Sequence, residues 1–272
     1  MKFKDEFLKK CHSSTDIEIH KVPESVEQTL RFLRTLPSEF EEKYMLNSHY
    51  EKLLRVDKCA SQIVYWEEMD KRIAYLWKTM GFRGLALLES FVSCVNSENY
   101  YVALLVLRAL LENSSLLHSY QLKIKPIYEN WAKQDAMGKI IRKEISSLVV
   151  SADLEDFLIK YSHGTTLREL IKNRPKWALG SVGKTIKEVS KESGFEDLYY
   201  YYSLLCQFAH PSIGSNLIFY KTGKISDSTE VYHFSRKQSV ALFLETSAYP
   251  LNLSCRFMME DVKELGEIRF MG

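Results

Sequence analysis

Glycine and proline are scarce in this chain, at 11 and 6 of 272 residues. Ordinary globular proteins carry roughly 7% and 5% of each. The shortage argues against a loop-rich β architecture and for long uninterrupted helices. Cysteine is also sparse: Cys11, Cys59, Cys94, Cys206 and Cys255 are odd in number, far apart and free of any C-x-x-C spacing. That excludes a disulfide framework and a zinc ribbon, and it fits reduced thiols in a cytoplasm. Net charge is only +2, so no global field draws the molecule to nucleic acid or to a membrane surface. A signal-peptide core is missing from MKFKDEFLKKCHSS, and no stretch reaches the roughly 20 apolar residues of a membrane span. The longest apolar run, Tyr100 to Leu111, is shorter than that and contains Arg108.

What is present is apolar and periodic. Hydrophobic residues make up 46% of the chain, enough for a substantial core. Pro23-Glu24-Ser25 reads as a helix start that runs to Pro37, with a second start at Ser38-Glu39. Ile63, Trp66, Ile73 and Trp77 recur at helical spacing, and Leu85 to Val95 continues the pattern. After the polar turn Asn96 to Asn99, YYVALLVLRALL is apolar on every side, which is the mark of a helix surrounded by others. Helices 85–95 and 100–120 are thus expected to form a central antiparallel hairpin. Further helices are expected at 127–148, 152–162, 166–173, 182–193 and Tyr199 to His210, and a last one from Lys237 interrupted at Pro250. LIFYKT and EVYHFS predict a small β-hairpin near 217–234. The fold class is therefore mainly α: a helical bundle at 61–272, with residues 1–60 as an N-terminal helical arm packed on it.

Arg108 is the one charge in its apolar run, and a guanidinium keeps its proton, so it needs compensating partners inside a protein. Glu112 lies one turn later on the same helix face and could hold its fork. The pair is either a buried structural salt bridge or a grip for a ligand. His210 ends its helix just before Pro211, where unpaired carbonyls favour an imidazolium. It is either a proton carrier or a packed, capping histidine. Cys206 shares its face at i,i+4, but no cluster supplies the further ligands a metal needs, so neither metal nor cofactor is expected.

Between Lys160 and Lys191 eight Lys and Arg stand against Glu169 and Glu188, while Glu24 to Asp70 is rich in carboxylates. Such polarity suits either an anionic ligand, self-association or plain solvated helix faces. Lys184, Lys187 and Lys191, with Tyr202 in the tyrosine run 199–202, form a candidate surface for RNA or a nucleotide. ALGSVGKT lacks the first glycine of a P-loop, since Ala178 stands there.

LRALLENSSLLHSY and YYYYSLLCQFAHPSIGSN resemble an uncharacterised prokaryotic helical family with R-x-L-x-E in one core helix and Y-x-x-L-S/C-x-x-x-H-P-S later; KWALGSVGKTIKEVSKESG is similar to its intervening W-x-x-x-S-x-x-x-x-x-x-E segment. The matched positions are Arg108, Glu112, Tyr202, His210, Pro211 and Ser212. The family is in turn distantly similar to HEPN helical bundles, many of them metal-independent ribonucleases of toxin and antiviral defence systems with Arg and His at a dimer interface. HEPN nucleases place R-x(4–6)-H on one helix, whereas the nearest spacing here is Arg108 to His118. Three functions are therefore expected to compete: a non-catalytic interaction or regulatory module of a defence or toxin–antitoxin system, with a partner protein or as a homodimer; a metal-independent ribonuclease with Arg108, Glu112 and His210; and a pocket for a small anionic ligand, with Ser212 among its contacts.

Overall fold

A short polar side chain before an apolar run starts the second helix. The Asp16 carboxylate accepts the backbone N–H of Glu18 at 2.8 Å, an N-cap that fixes the start of the helix at Ile17. In this computed structural model, residues 2–41, 43, 52, 55–56, 58–136, 158, 182–210, 217–226, 229–234 and 237–270 are described. Their elements are α1 (Asp5–Ser13), α2 (Ile17–Leu33), α3 (Lys58–Asn96), α4 (Tyr100–Ala136), α5 (Val182–Glu192), α6 (Asp197–Ala209), β1 (Tyr220–Ser226), β2 (Thr229–Phe234) and α7 (Val240–Glu267). The protein is mainly helical.

Prolines break fewer helices than the sequence predicts. Pro23 does not open α2 but sits inside it, and Pro250 does not interrupt α7, which runs unbroken to Glu267. Each proline deletes one N–H bond and crowds the preceding turn. Burial on both sides holds the helices together: Ile19, Val22 and Val26 flank Pro23, while Ala248, Leu251 and Leu253 flank Pro250. Asn252 Nδ2 also donates to the Glu18 carbonyl, in the turn before Pro23, at 2.8 Å. Pro126 likewise lies within α4, so no new helix starts at 127. The start expected at Ser38 is not formed, because residues 37–41 are not helical. The expected helices at 152–162 and 166–173, and the 137–148 part of another, lie outside the described residues.

The turn between α3 and α4 takes three residues. Glu98 adopts a left-handed φ of 56°, and Asn99 N–H closes the end of α3 on the Cys94 carbonyl at 2.9 Å. So short a link returns the chain beside itself as an antiparallel neighbour. No residue of α4 from Tyr100 to Leu122 is exposed, as expected of a helix covered all round. Tyr100–Lys133 is long and apolar enough to cross a membrane, but more than half of its most apolar 18-residue stretch is buried by the rest of the protein.

The chain divides into two compact units: residues 1–35, 82–116 and 180–259 in one, and 36–81, 117–179 and 260–272 in the other. The first is centred on Phe243, stacked on Tyr100 at 4.8 Å and on Phe91 at 5.9 Å between ring centroids. Asn96 pins the N-terminus to it, accepting Lys4 N–H and donating to the Lys2 carbonyl, each at 2.9 Å. The second is centred on Phe270, which meets Trp66 at 4.6 Å and Trp131 at 5.6 Å, while its N–H donates to Asp70 at 2.8 Å. In the first unit β1 and β2 pair antiparallel, Tyr220 opposite Phe234 and Thr222 opposite Tyr232. Leu217–Phe219, expected to be strand, is a single 3-10 turn.

Candidate functional site

Arg108 and Glu112 meet as their i,i+4 spacing predicts. Arg108 Nη2 lies 2.9 Å from Glu112 Oε1, so one prong of the guanidinium is engaged rather than the two-pronged fork. The pair is not buried as expected: the two side chains are 31% and 23% exposed. Arg108 Nε, by contrast, is buried with no hydrogen-bond partner. The partners on α6 complete the cluster. The Tyr202 hydroxyl donates to the same Glu112 oxygen at 3.3 Å, and its ring lies under the guanidinium at 5.8 Å. Burial works against the Arg108 charge, yet the Tyr202 hydroxyl, Cys206 and the Glu112 carboxylate outweigh it and push the guanidinium above its ordinary value. Burial raises the Tyr202 phenol, and a hydrogen bond with Arg108 opposes that rise.

Helix α6 runs antiparallel to α4, because Tyr202 meets Glu112 while the Tyr101 hydroxyl donates to the Phe208 carbonyl at 3.0 Å. His210 caps the far end of α6 in an extended conformation and is exposed. It stands eight residues beyond Tyr202, about 12 Å along the helix axis. The guanidinium is engaged by Glu112 and by Tyr202 and Cys206 of α6. Among the described residues no hydrogen bond, ion pair or ring contact joins His210 to Arg108 or Glu112, so Arg108, Glu112 and Tyr202 form a cluster and His210 does not enter it. Ser212 lies outside the described residues.

Lys184, Lys187 and Lys191 share one exposed face of α5, whose opposite face buries Ile186 and Val189. Lys187 lies over the Tyr199 ring at 5.6 Å, and Gly183 packs on Tyr202, where an added Cβ would come within 3.4 Å of the ring. Acidic residues offset this face: Glu188 and Glu192 alternate with the lysines, Glu196 and Asp197 follow them, and Lys184 reaches Glu188 at 3.9 Å. Of the eight Lys and Arg counted in the sequence, five lie at residues 160–176, outside the described residues.

The second unit holds a pair that spacing rules could not find. His118 Nδ1 is 3.0 Å from Asp261 Oδ1, with Asp261 almost wholly buried. Burial raises the Asp261 carboxyl to about 6, and His118 works against that rise. One and two turns on, Gln121 and Lys125 both reach Glu264. These partners are 143 residues apart in sequence, so the only linear signal is a histidine and a serine-rich stretch within an otherwise apolar helix. The pair can orient an imidazole and hold a proton. No group of three or more His, Cys, Asp or Glu able to hold a metal occurs among the described residues.

No family model, no curated protein and no solved structure matches this chain.

Proposed function

We propose that this protein is a non-catalytic interaction module, in which Arg108, Glu112 and Tyr202 clasp α4 to α6. The observation that carries this reading is the engagement of Arg108. Its charge is taken up within the fold by Glu112, Tyr202 and Cys206, and among the described residues no hydrogen bond or ion pair joins it to His210. A ribonuclease needs a cation and a proton carrier converging on one phosphate. The resemblance to HEPN-like families makes the module a regulatory partner in a defence or toxin–antitoxin system, bound to another protein.

The competing ribonuclease reading brings His210 of one copy to Arg108 of another, and so requires a homodimer. Thermal melting and RNA cleavage of wild type, Arg108→Lys and His210→Ala, measured side by side with EDTA present, decide between them. The module predicts no cleavage by any of the three and a melting temperature for His210→Ala within a degree or two of wild type, because an exposed capping residue contributes little. Metal-independent cleavage by wild type that is lost in His210→Ala overturns it.

A further inference from the structure

The tyrosine run of α6 is divided between two electrostatic environments. Tyr199 and Tyr202, three residues apart, face Lys187 and Arg108. Tyr200 and Tyr201 face the other way. Tyr201 stacks on Tyr249 of α7 at 4.9 Å and 24°, and Tyr200 stands edge-on to Tyr201 at 5.4 Å and 80°. Tyr200 is 63% exposed, and so is Ile17 at 67%, between Asp16 and Glu18 at the start of α2. The start of α2 is tied to this tyrosine stack: Asn252, one turn after Tyr249, donates to Glu18 Oε2 at 2.9 Å. Burial raises the Tyr201 and Tyr249 phenols, and the nearby charges of Asp197 and Glu18 raise them further. Lys21 engages Glu18 at 2.8 Å. Among the described residues no lysine or arginine pairs with Asp16 or Asp197, and both are exposed.

We infer that the Tyr200, Tyr201 and Tyr249 face, edged by Asp16 and Asp197, docks a cationic segment of a partner protein, arginine in preference to lysine. Ring faces carry a negative quadrupole and attract cations, and a planar guanidinium stacks on them while its N–H groups reach flanking carboxylates. An apolar segment would desolvate the two carboxylates without pairing them. An anionic one would be repelled. The existence of a partner rests on the interaction-module reading; its charge and its seat on the fold are argued from this face alone.

The test uses the full chain with fluorescein-labelled octa-arginine, octa-lysine and octa-glutamate peptides at 150 mM salt, read by anisotropy. Octa-arginine should bind, octa-lysine more weakly and octa-glutamate not at all. Tyr200→Ala and the double variant Asp16→Asn, Asp197→Asn should each weaken octa-arginine by about five- to tenfold, and asparagine keeps the helix cap at position 16. Glu41→Gln with Glu129→Gln changes charge equally elsewhere and should leave affinity within about twofold, as expected of screened distant charges. Equal loss in that control, or no preference for arginine over lysine, overturns the proposal. So does a dimer in sedimentation that dissociates in the Asp16, Asp197 variant, because the occupant would then be a second copy of this chain. The cleavage assay is read separately: RNA cleavage refutes the module without touching the peptide result, and absent peptide binding with absent cleavage refutes only this surface.

Discussion

At Arg108 one prong of the guanidinium meets Glu112 while Nε is buried without a partner. An unsatisfied buried donor costs about 1–3 kcal/mol, and a partly exposed ion pair returns about 1 kcal/mol or less. Lysine would keep the charge and omit the orphaned donor. Arg108→Lys is therefore expected to change stability by less than about 1 kcal/mol, whereas Glu112→Ala, which strips both Arg108 and the Tyr202 hydroxyl of their acceptor, should cost about 1–2 kcal/mol in urea melts. Asp261 gives the pH dependence. Burial holds its carboxyl near 6 in the fold, against 3.8 ordinarily, in a neighbourhood of His118, Glu260 and Glu264, with Lys125 on Glu264. Between those two values the unfolded chain has released the proton and the folded one retains it, so stability falls as pH rises through the window and levels off above it. Wild type should lose on the order of 2 kcal/mol relative to Asp261→Asn between about pH 4 and 7. A wild type that gains on the variant over that range would mean the His118 contact outweighs desolvation.

Helices in this protein are held by burial more than by local signals. Leu104 and Leu107 are fully buried on α4, and an aspartate at either would be unpaired in an apolar surface. Leu104→Asp or Leu107→Asp should abolish cooperative folding, seen as loss of the near-ultraviolet circular dichroism transition. Pro126 is the complementary case, because it is exposed within α4 and interrupts one backbone hydrogen bond there. Pro126→Ala restores an N–H and should raise stability by about 1–3 kcal/mol, against a small entropic gain of the unfolded chain; a lower melting temperature would mean the proline shapes a bend that other contacts need. The same logic explains which helix boundaries the sequence marked. Gly194, with φ of +70°, ends α5 where a left-handed residue was expected, and the Asn96 to Asn99 turn stands where polar residues announced it. Pro23 and Pro250 misled because a proline's local penalty of about 3 kcal/mol is comparable to burying one or two large side chains, and linear spacing does not show what a helix packs against.

For the whole molecule, charge decides what is expected in solution. Net charge is +2, and the lysines of α5 are interleaved with glutamates. Single-stranded RNA should therefore bind weakly, with a shallow salt dependence, and changing Lys184, Lys187 and Lys191 together to Glu should alter affinity little. A steep loss of tight binding in that triple variant would restore nucleic acid as the ligand. By itself the sequence determined the helical class, the central turn, the covering of α4 and the Arg108–Glu112 contact, because each depends on residues within one or two helical turns. Tertiary structure alone decided that Tyr202 joins that pair while His210 does not, that His118 finds Asp261, and that the four consecutive tyrosines divide between a cationic and an anionic side. Those outcomes depend on how α4, α6 and α7 are set against one another, and that is fixed by packing between side chains up to 143 positions apart, which no local pattern encodes.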